Sequence, residues 1–94
     1  MTAKKLKKLK ETFELAAPTA GAVLLAGDFT GWTTEPIPMK KDRQGCWKTT
    51  VALDPGVHEY RFMVDGHWAD DPLAPARQAN PFGSQNCIRS VAAN

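Results

Sequence analysis

The stretch His58-Glu59-Tyr60-Arg61-Phe62-Met63-Val64-Asp65-Gly66-His67-Trp68 decides how this chain is read. His58, Tyr60, Phe62 and Val64 alternate with Glu59, Arg61 and Met63, the period-two pattern of a strand with one face toward a core. Asp-Gly is a favoured pair at the centre of a tight hairpin, so Asp65-Gly66 predicts a two-residue turn into a second strand. That turn sets the ladder, with Val64 facing His67 and Met63 facing Trp68. Trp68 is thereby placed on the outward face beside Met63 and Arg61, diagonal to Arg61 and within reach of its guanidinium.

Outside the hairpin the same grammar continues. Trp47, Thr49, Val51 and Leu53 alternate with Lys48, Thr50 and Ala52, and short strands are expected at Thr12 to Ala16, Ala22 to Ala26 and Cys87 to Val91. Turn chemistry separates them: Pro18 to Gly21, Gly27 to Gly31, Asp42 to Gly45, Asp54-Pro55-Gly56, Asp71-Pro72, Asn80-Pro81 and Phe82-Gly83. Helices of ordinary length do not fit between these signals, and about seven antiparallel strands in an all-β sandwich do. The 94 residues allow one small core, and 43% hydrophobic with 23% charged residues is the composition of a folded domain rather than a disordered one.

Charge is uneven along the chain. Lys4, Lys5, Lys7, Lys8 and Lys10 supply five of the twelve cations, leaving seven cations against ten anions in the rest. The expected organisation is a Lys-rich tail over residues 1–10 and one domain over 11–94, with net −3 on the domain behind a formal +2. A nucleic-acid protein carries its positive charge on the folded surface, so nucleic acid is not the expected partner. Leu6, Leu9 and Phe13 fall at helical spacing, but the run is too short for a stable isolated helix, and a frayed tail leading into the first strand is expected. No apolar run is long enough for a membrane span and no signal-peptide core follows the lysines, so a membrane partner is not expected and the expected location is cytoplasmic. Cys46 and Cys87 have no metal-type spacing and are read as reduced, partly buried thiols, with a disulfide as the lesser reading.

The three tryptophans fall in two classes. Trp47 lies mid-strand on the face of Val51 and Leu53 and reads as core. Trp32 follows Gly27-Asp28-Phe29-Thr30-Gly31 and precedes Thr33-Thr34-Glu35-Pro36, so it stands in loop chemistry and is expected to be partly exposed. For Trp32 the bland account is a loop anchor; for Trp68 it is a ring packed under a loop with Arg61 as its cover. Two indoles outside the core of so small a domain favour a binding platform. Such a platform suits a sugar, whose C–H face packs on an aromatic ring while its hydroxyls need directed polar groups.

Several runs, in order, resemble a known family: Val23-Leu24-Leu25-Ala26-Gly27-Asp28-Phe29-Thr30-Gly31-Trp32, Pro36-Ile37-Pro38-Met39, Gly45-Cys46-Trp47, Leu53-Asp54-Pro55-Gly56, Tyr60 to Trp68, Asp71-Pro72 and Asn80-Pro81-Phe82-Gly83-Ser84-Gln85-Asn86. Over about residues 11 to 93 the chain is similar to family-48 carbohydrate-binding modules. These are the glycogen-binding domains of AMP-activated protein kinase β subunits and the amino-terminal domains of glycogen branching and debranching enzymes. The resemblance implies an early-set, immunoglobulin-like β-sandwich that binds α-1,4-glucan such as glycogen or starch. It places Trp32 and Trp68 at the stacking positions, Arg61 at a basic hydrogen-bonding position, and Phe82, Ser84 and Asn86 at the wedge, hydroxyl and amide of the final loop. Kinase-type domains have an aliphatic residue at the Phe82 position, Thr at that of Ser84 and often Lys at that of Arg61. Because family members are usually appended to larger machinery, a chain ending at Asn94 is expected to be a free-standing module that tethers a protein partner to glycogen.

Rival chemistries are weaker. A glycosidase needs two carboxyl groups about 5 to 10 Å apart across a sugar, whereas Asp28, Asp54, Asp65 and Asp71 each sit in turn contexts where local bonding to backbone amides is their ordinary role. His58 and His67 lack a Ser or Cys partner in a nucleophile motif. No enzyme activity and no cofactor is expected. A protein-interaction module using the same exposed aromatics is the alternative.

Overall fold

The structure, a computed structural model, describes residues 8–74, 76–80 and 83–92. It is built around the hairpin. The strand Gly56–Val64 (β6) turns at Asp65-Gly66 into His67–Ala69 (β7), with Val64 opposite His67 and Met63 opposite Trp68. Asp65 and Gly66 have φ of 49° and 85°, the left-handed pair that a type I′ turn requires.

Numbered in chain order, the remaining strands are β1 (Leu9–Ala16), β2 (Val23–Gly27), β3 (Ile37–Pro38), β4 (Lys40–Lys41), β5 (Cys46–Leu53), β8 (Ala76–Ala79) and β9 (Gln85–Val91). All the pairings are antiparallel. One sheet runs β3-β2-β6-β9-β8 with β7 joined to β6, and the other runs β1-β5-β4. The expected all-β sandwich is what forms, and the short strands β3, β4 and β8, which the alternation does not mark, bring the total to nine among the described residues.

The facing sides of the two sheets hold the core. Phe13 and Leu15 from β1 and Trp47 and Leu53 from β5 lie against Leu25, Tyr60, Phe62 and Cys87 of the larger sheet, all buried. Phe13 meets Tyr60 edge to face at 4.8 Å between centroids, a geometry favoured by the ring quadrupoles. The Arg89 guanidinium covers Phe13 at 4.2 Å and its Nη1 donates to Glu11 Oε1 at 3.0 Å and to the Thr12 carbonyl at 3.2 Å, bridging the two sheets. Trp47 donates its indole N–H to the Ala17 carbonyl at 2.9 Å, so the one polar atom of this core ring is satisfied.

Two expectations are corrected. The first strand starts at Leu9, not Thr12, because Leu9 pairs with Leu53 and packs partly buried against the core; burial of one leucine continued the ladder upstream. The aspartates also reach further than their own turns. Asp65 Oδ1 accepts the amides of Gly21 and Ala22 at 2.9 and 2.8 Å, and Asp28 Oδ2 accepts that of Glu59 at 3.0 Å. Asp71 does bond locally, to Leu73 N–H at 2.9 Å, yet its other oxygen accepts the Tyr60 hydroxyl. Cys46 and Cys87 are both free thiols. Cys87 is fully buried, which pushes its thiol pKa up, and its sulfur accepts the Asp71 amide at 3.2 Å.

Tyr60 ties this loop to the core. Burial, and then its bond to the Asp71 carboxylate, raise its pKa above the ordinary 10.0. The protonated phenol is thus favoured in the folded chain. Its contribution to stability is whole below pH 10 and falls away as pH rises beyond it. Tyr60 is the only tyrosine of the chain, so tyrosinate absorbance near 295 nm reports it alone. That absorbance should stay absent through the ordinary tyrosine range and appear together with alkaline unfolding followed by circular dichroism. Tyr60→Phe, which strands a buried carboxylate oxygen, should lower stability in urea by about 1–3 kcal/mol at neutral pH.

Candidate functional site

The outer side of the β6 sheet carries the residues that β6 does not turn inward. Arg61 lies there between the buried Tyr60 and Phe62, and Trp68 joins it from β7, 42% exposed. The Arg61 guanidinium carbon sits 5.6 Å from the centre of the Trp68 ring, within the range of a cation–π contact. Its Nε donates to Asp70 Oδ1 at 3.1 Å. Asp70 therefore holds the fork over the ring and leaves the two terminal nitrogens to donate elsewhere.

Trp32 arrives from the loop after β2. A single turn of 3-10 helix at Asp28–Thr30 ends at Gly31, φ 64°, and Trp32 itself has φ 58°. A left-handed bulky residue is uncommon, costs of order 1–3 kcal/mol, and persists only where surrounding bonds over-determine it. Here the Trp32 amide donates to the Gly27 carbonyl at 2.9 Å, while Thr30 Oγ1 lies 2.9 Å from the Trp32 carbonyl and accepts the Gly27 amide at 3.0 Å. Asp28 clips the turn to β6 through the Glu59 amide and through His58 Nδ1 at 3.3 Å. Gly27 is required, since a Cβ there would come within 2.6 Å of both the Glu59 carbonyl and the Phe29 ring.

The result is a half-buried Trp32 whose ring centroid lies 6.5 Å from that of Trp68, with 75° between the planes. The two rings and Arg61 border an open cavity of about 660 Å³, lined also by Thr33, Asn80, Ser84 and Asn86. Five of the six residues named from the sequence, Trp32, Arg61, Trp68, Ser84 and Asn86, thus converge on one cavity; Phe82 lies outside the described residues. Trp47 is in the core on the other sheet, 8% exposed. Sequence reasoning missed Thr33 and Asn80, which it read only as loop and turn. Asn80 Oδ1 accepts the Ser84 amide at 3.1 Å and its Nδ2 donates to Asn86 Oδ1 at 3.0 Å, a role that the Asn-Pro dipeptide does not announce. The cavity has the size of a small-molecule site, with aromatic walls and a few convergent polar groups.

Comparison with known proteins places the chain as a whole. The family model described as the glycogen recognition site of AMP-activated protein kinase matches residues 12–94. Protein FLOURY ENDOSPERM 6, chloroplastic, from Oryza sativa subsp. japonica is 35% identical over 88 residues, which is 94% of this chain and 16% of that protein. Protein PTST homolog 2, chloroplastic, from Arabidopsis thaliana is 42% identical over 69 residues, 72% of this chain and 13% of that one. Among solved structures, a pullulanase from Paenibacillus barengoltzii complexed with maltotetraose superposes with a TM-score of 0.61 at 33% identity, over 95% of this chain and 15% of the other. The chain thus spans about one-sixth or less of the length of each.

The Arg61–Asp70 pair has one partner 40% exposed, and such pairs contribute little to folding. Asp70→Ala should therefore shift the urea midpoint by no more than about 0.5 kcal/mol of stability. The same variant should alter the near-ultraviolet circular dichroism of the indoles, because the fork is no longer held over Trp68.

Proposed function

The chain belongs to the family of the glycogen recognition site of AMP-activated protein kinase, and from that premise we propose that it binds α-1,4-glucan of the glycogen or starch type without acting on it. The observation that carries the reading is the convergence of two non-core indoles, one guanidinium and four small polar side chains on one open cavity. In this reading Trp32 and Trp68 stack on glucose rings. Their planes stand 75° apart, which suits a chain whose α-linkages turn successive rings through large angles. Arg61, Ser84 and Asn86 hydrogen-bond the hydroxyls.

Charge supports the same ligand class. Arg61 is paired with Asp70, so its terminal N–H groups are presented without much net positive charge, as a neutral polyhydroxyl ligand needs. Ring-face stacking leaves much of the sugar wet, and a single site should bind in the roughly micromolar to millimolar range. A polymer with many sites gains by avidity, and the module would serve to hold a protein partner on the glucan.

Titration with maltoheptaose, followed by tryptophan fluorescence, tests this. The signal should change through Trp32 and Trp68, with Trp47 silent in its buried setting. Trp32→Ala and Trp68→Ala should each weaken binding by about tenfold or more, which is ~1.4 kcal/mol. Affinity should barely change between low and high salt, unlike a phosphate-backbone ligand. Equal retention of wild type and the double Trp variant on immobilised amylose, or retention of neither, sinks the glucan reading and leaves a protein-interaction surface on the same rings.

A further inference from the structure

One carboxylate beside the cavity bonds an amide that lines it. Glu59 stands two residues before Arg61 on the same outward face of β6, and its Oε1 accepts the side-chain amide of Asn86 at 3.1 Å. Asn86 is 8% exposed and lines the cavity. The bonds form a one-way chain: Ser84 N–H donates to Asn80 Oδ1, Asn80 Nδ2 to Asn86 Oδ1, and Asn86 Nδ2 to Glu59 Oε1. Its direction is fixed at both ends. A backbone amide can only donate, and an ionised carboxylate can only accept.

We propose that Glu59 is a positioning residue for glucan recognition, which orients the Asn86 amide so that its NH2 group, and not its oxygen, is the side committed toward β6, with the second N–H of that group left for the sugar. The proposal rests on the reading that the cavity binds α-glucan. The chemistry is simple. An asparagine amide is nearly symmetric in shape but opposite in hydrogen-bonding sense at its two ends, so an unanchored amide presents donor and acceptor in turn. Anchored by Glu59 on one side and Asn80 on the other, Asn86 presents one arrangement before the ligand arrives. Preorganisation of this kind removes part of the ordering cost of binding. Glu59 is itself held from behind, because its own amide donates to Asp28 Oδ2 at 3.0 Å, a bond that side-chain substitution leaves in place.

Three variants separate the roles. Glu59→Gln keeps an acceptor oxygen at the same reach, Glu59→Met keeps the length and removes the acceptor, and Glu59→Lys sets a donor against the Asn86 donor. By calorimetric titration with maltoheptaose, Glu59→Gln should bind within about twofold of wild type, Glu59→Met about fivefold to tenfold more weakly, and Glu59→Lys more weakly still. In 1H–15N spectra the Asn86 side-chain amide pair should keep its position in Glu59→Gln and move in the other two, with thermal melts confirming folded chains. The proposal is overturned if Glu59→Met and Glu59→Lys bind as wild type does, or if Glu59→Gln binds as weakly as Glu59→Met. The Gln and Lys variants decide it alone should Glu59→Met fail to fold. Loss of all maltoheptaose binding by the wild type is a different result, and it overturns the glucan reading itself.

Discussion

The register of β6 is the constraint on which the rest depends. One face of this strand gives the core its Tyr60 and Phe62, and the other gives the site its Arg61 and Glu59. A slip of one residue would exchange the two sets, burying a guanidinium and a carboxylate and exposing two aromatic rings. The Asp65-Gly66 turn prevents this by fixing which residues face each other across β6 and β7. Asp65 does more than turn. Its carboxylate takes two amides from the loop before β2, and its own amide donates to the Ala22 carbonyl at 2.9 Å, so the turn that sets the β7 register also locks the entry of β2 on the other edge of β6. Trp68 and Trp32 reach the same cavity through these two neighbours.

The two rings are held by different means, and the difference follows from where each lies. Trp68 is on a strand, and its direction is set by the pleat and by a pair opposite Met63. Trp32 is on a loop and has no ladder to orient it. Its left-handed backbone is maintained by a cluster of short bonds among Gly27, Thr30 and Trp32, and by Asp28 reaching to β6. Backbone strain of this kind is concentrated at functional positions because regular structure could not aim the side chain there.

Much of this was legible in the sequence because it follows from period and turn chemistry. The alternation through Tyr60, Phe62 and Val64 and the Asp-Gly pair predicted the Met63–Trp68 pairing that the structure has, and with it the Arg61–Trp68 contact. What stayed illegible was non-local. That Asp28 and Asp65 would bond amides more than thirty residues away cannot be read from turns that would use an aspartate locally. Asn80 looked like the start of a turn because Asn-Pro often is one, and its second function depends on β8 and β9 bringing it beside Asn86. The start of β1 at Leu9 was hidden by lysines on both sides, whose charge says nothing about the leucine between them.

The same sheet also changes what the net charge means. The sequence suggested that positive charge sits on the first ten residues, yet Lys40 and Lys48 face each other across β4 and β5, with Lys41 beside them over the Trp47 ring at 5.7 Å. Lys48 is shared between Glu14 at 3.6 Å and Asp42 at 3.7 Å. These cations belong to the three-stranded sheet, whereas the cavity lies on the outer side of the other sheet, where Arg61 is matched by Asp70 and the carboxylate of Glu59 accepts an amide. The Arg61 guanidinium lining the cavity is thus paired, and what the polar wall presents to a ligand is a directed set of donors and acceptors. For a ligand made of hydroxyls, which both donate and accept, a fixed order of donors and acceptors discriminates better than a strong potential would. The Ser84–Asn80–Asn86–Glu59 chain is the part of this molecule that supplies such an order.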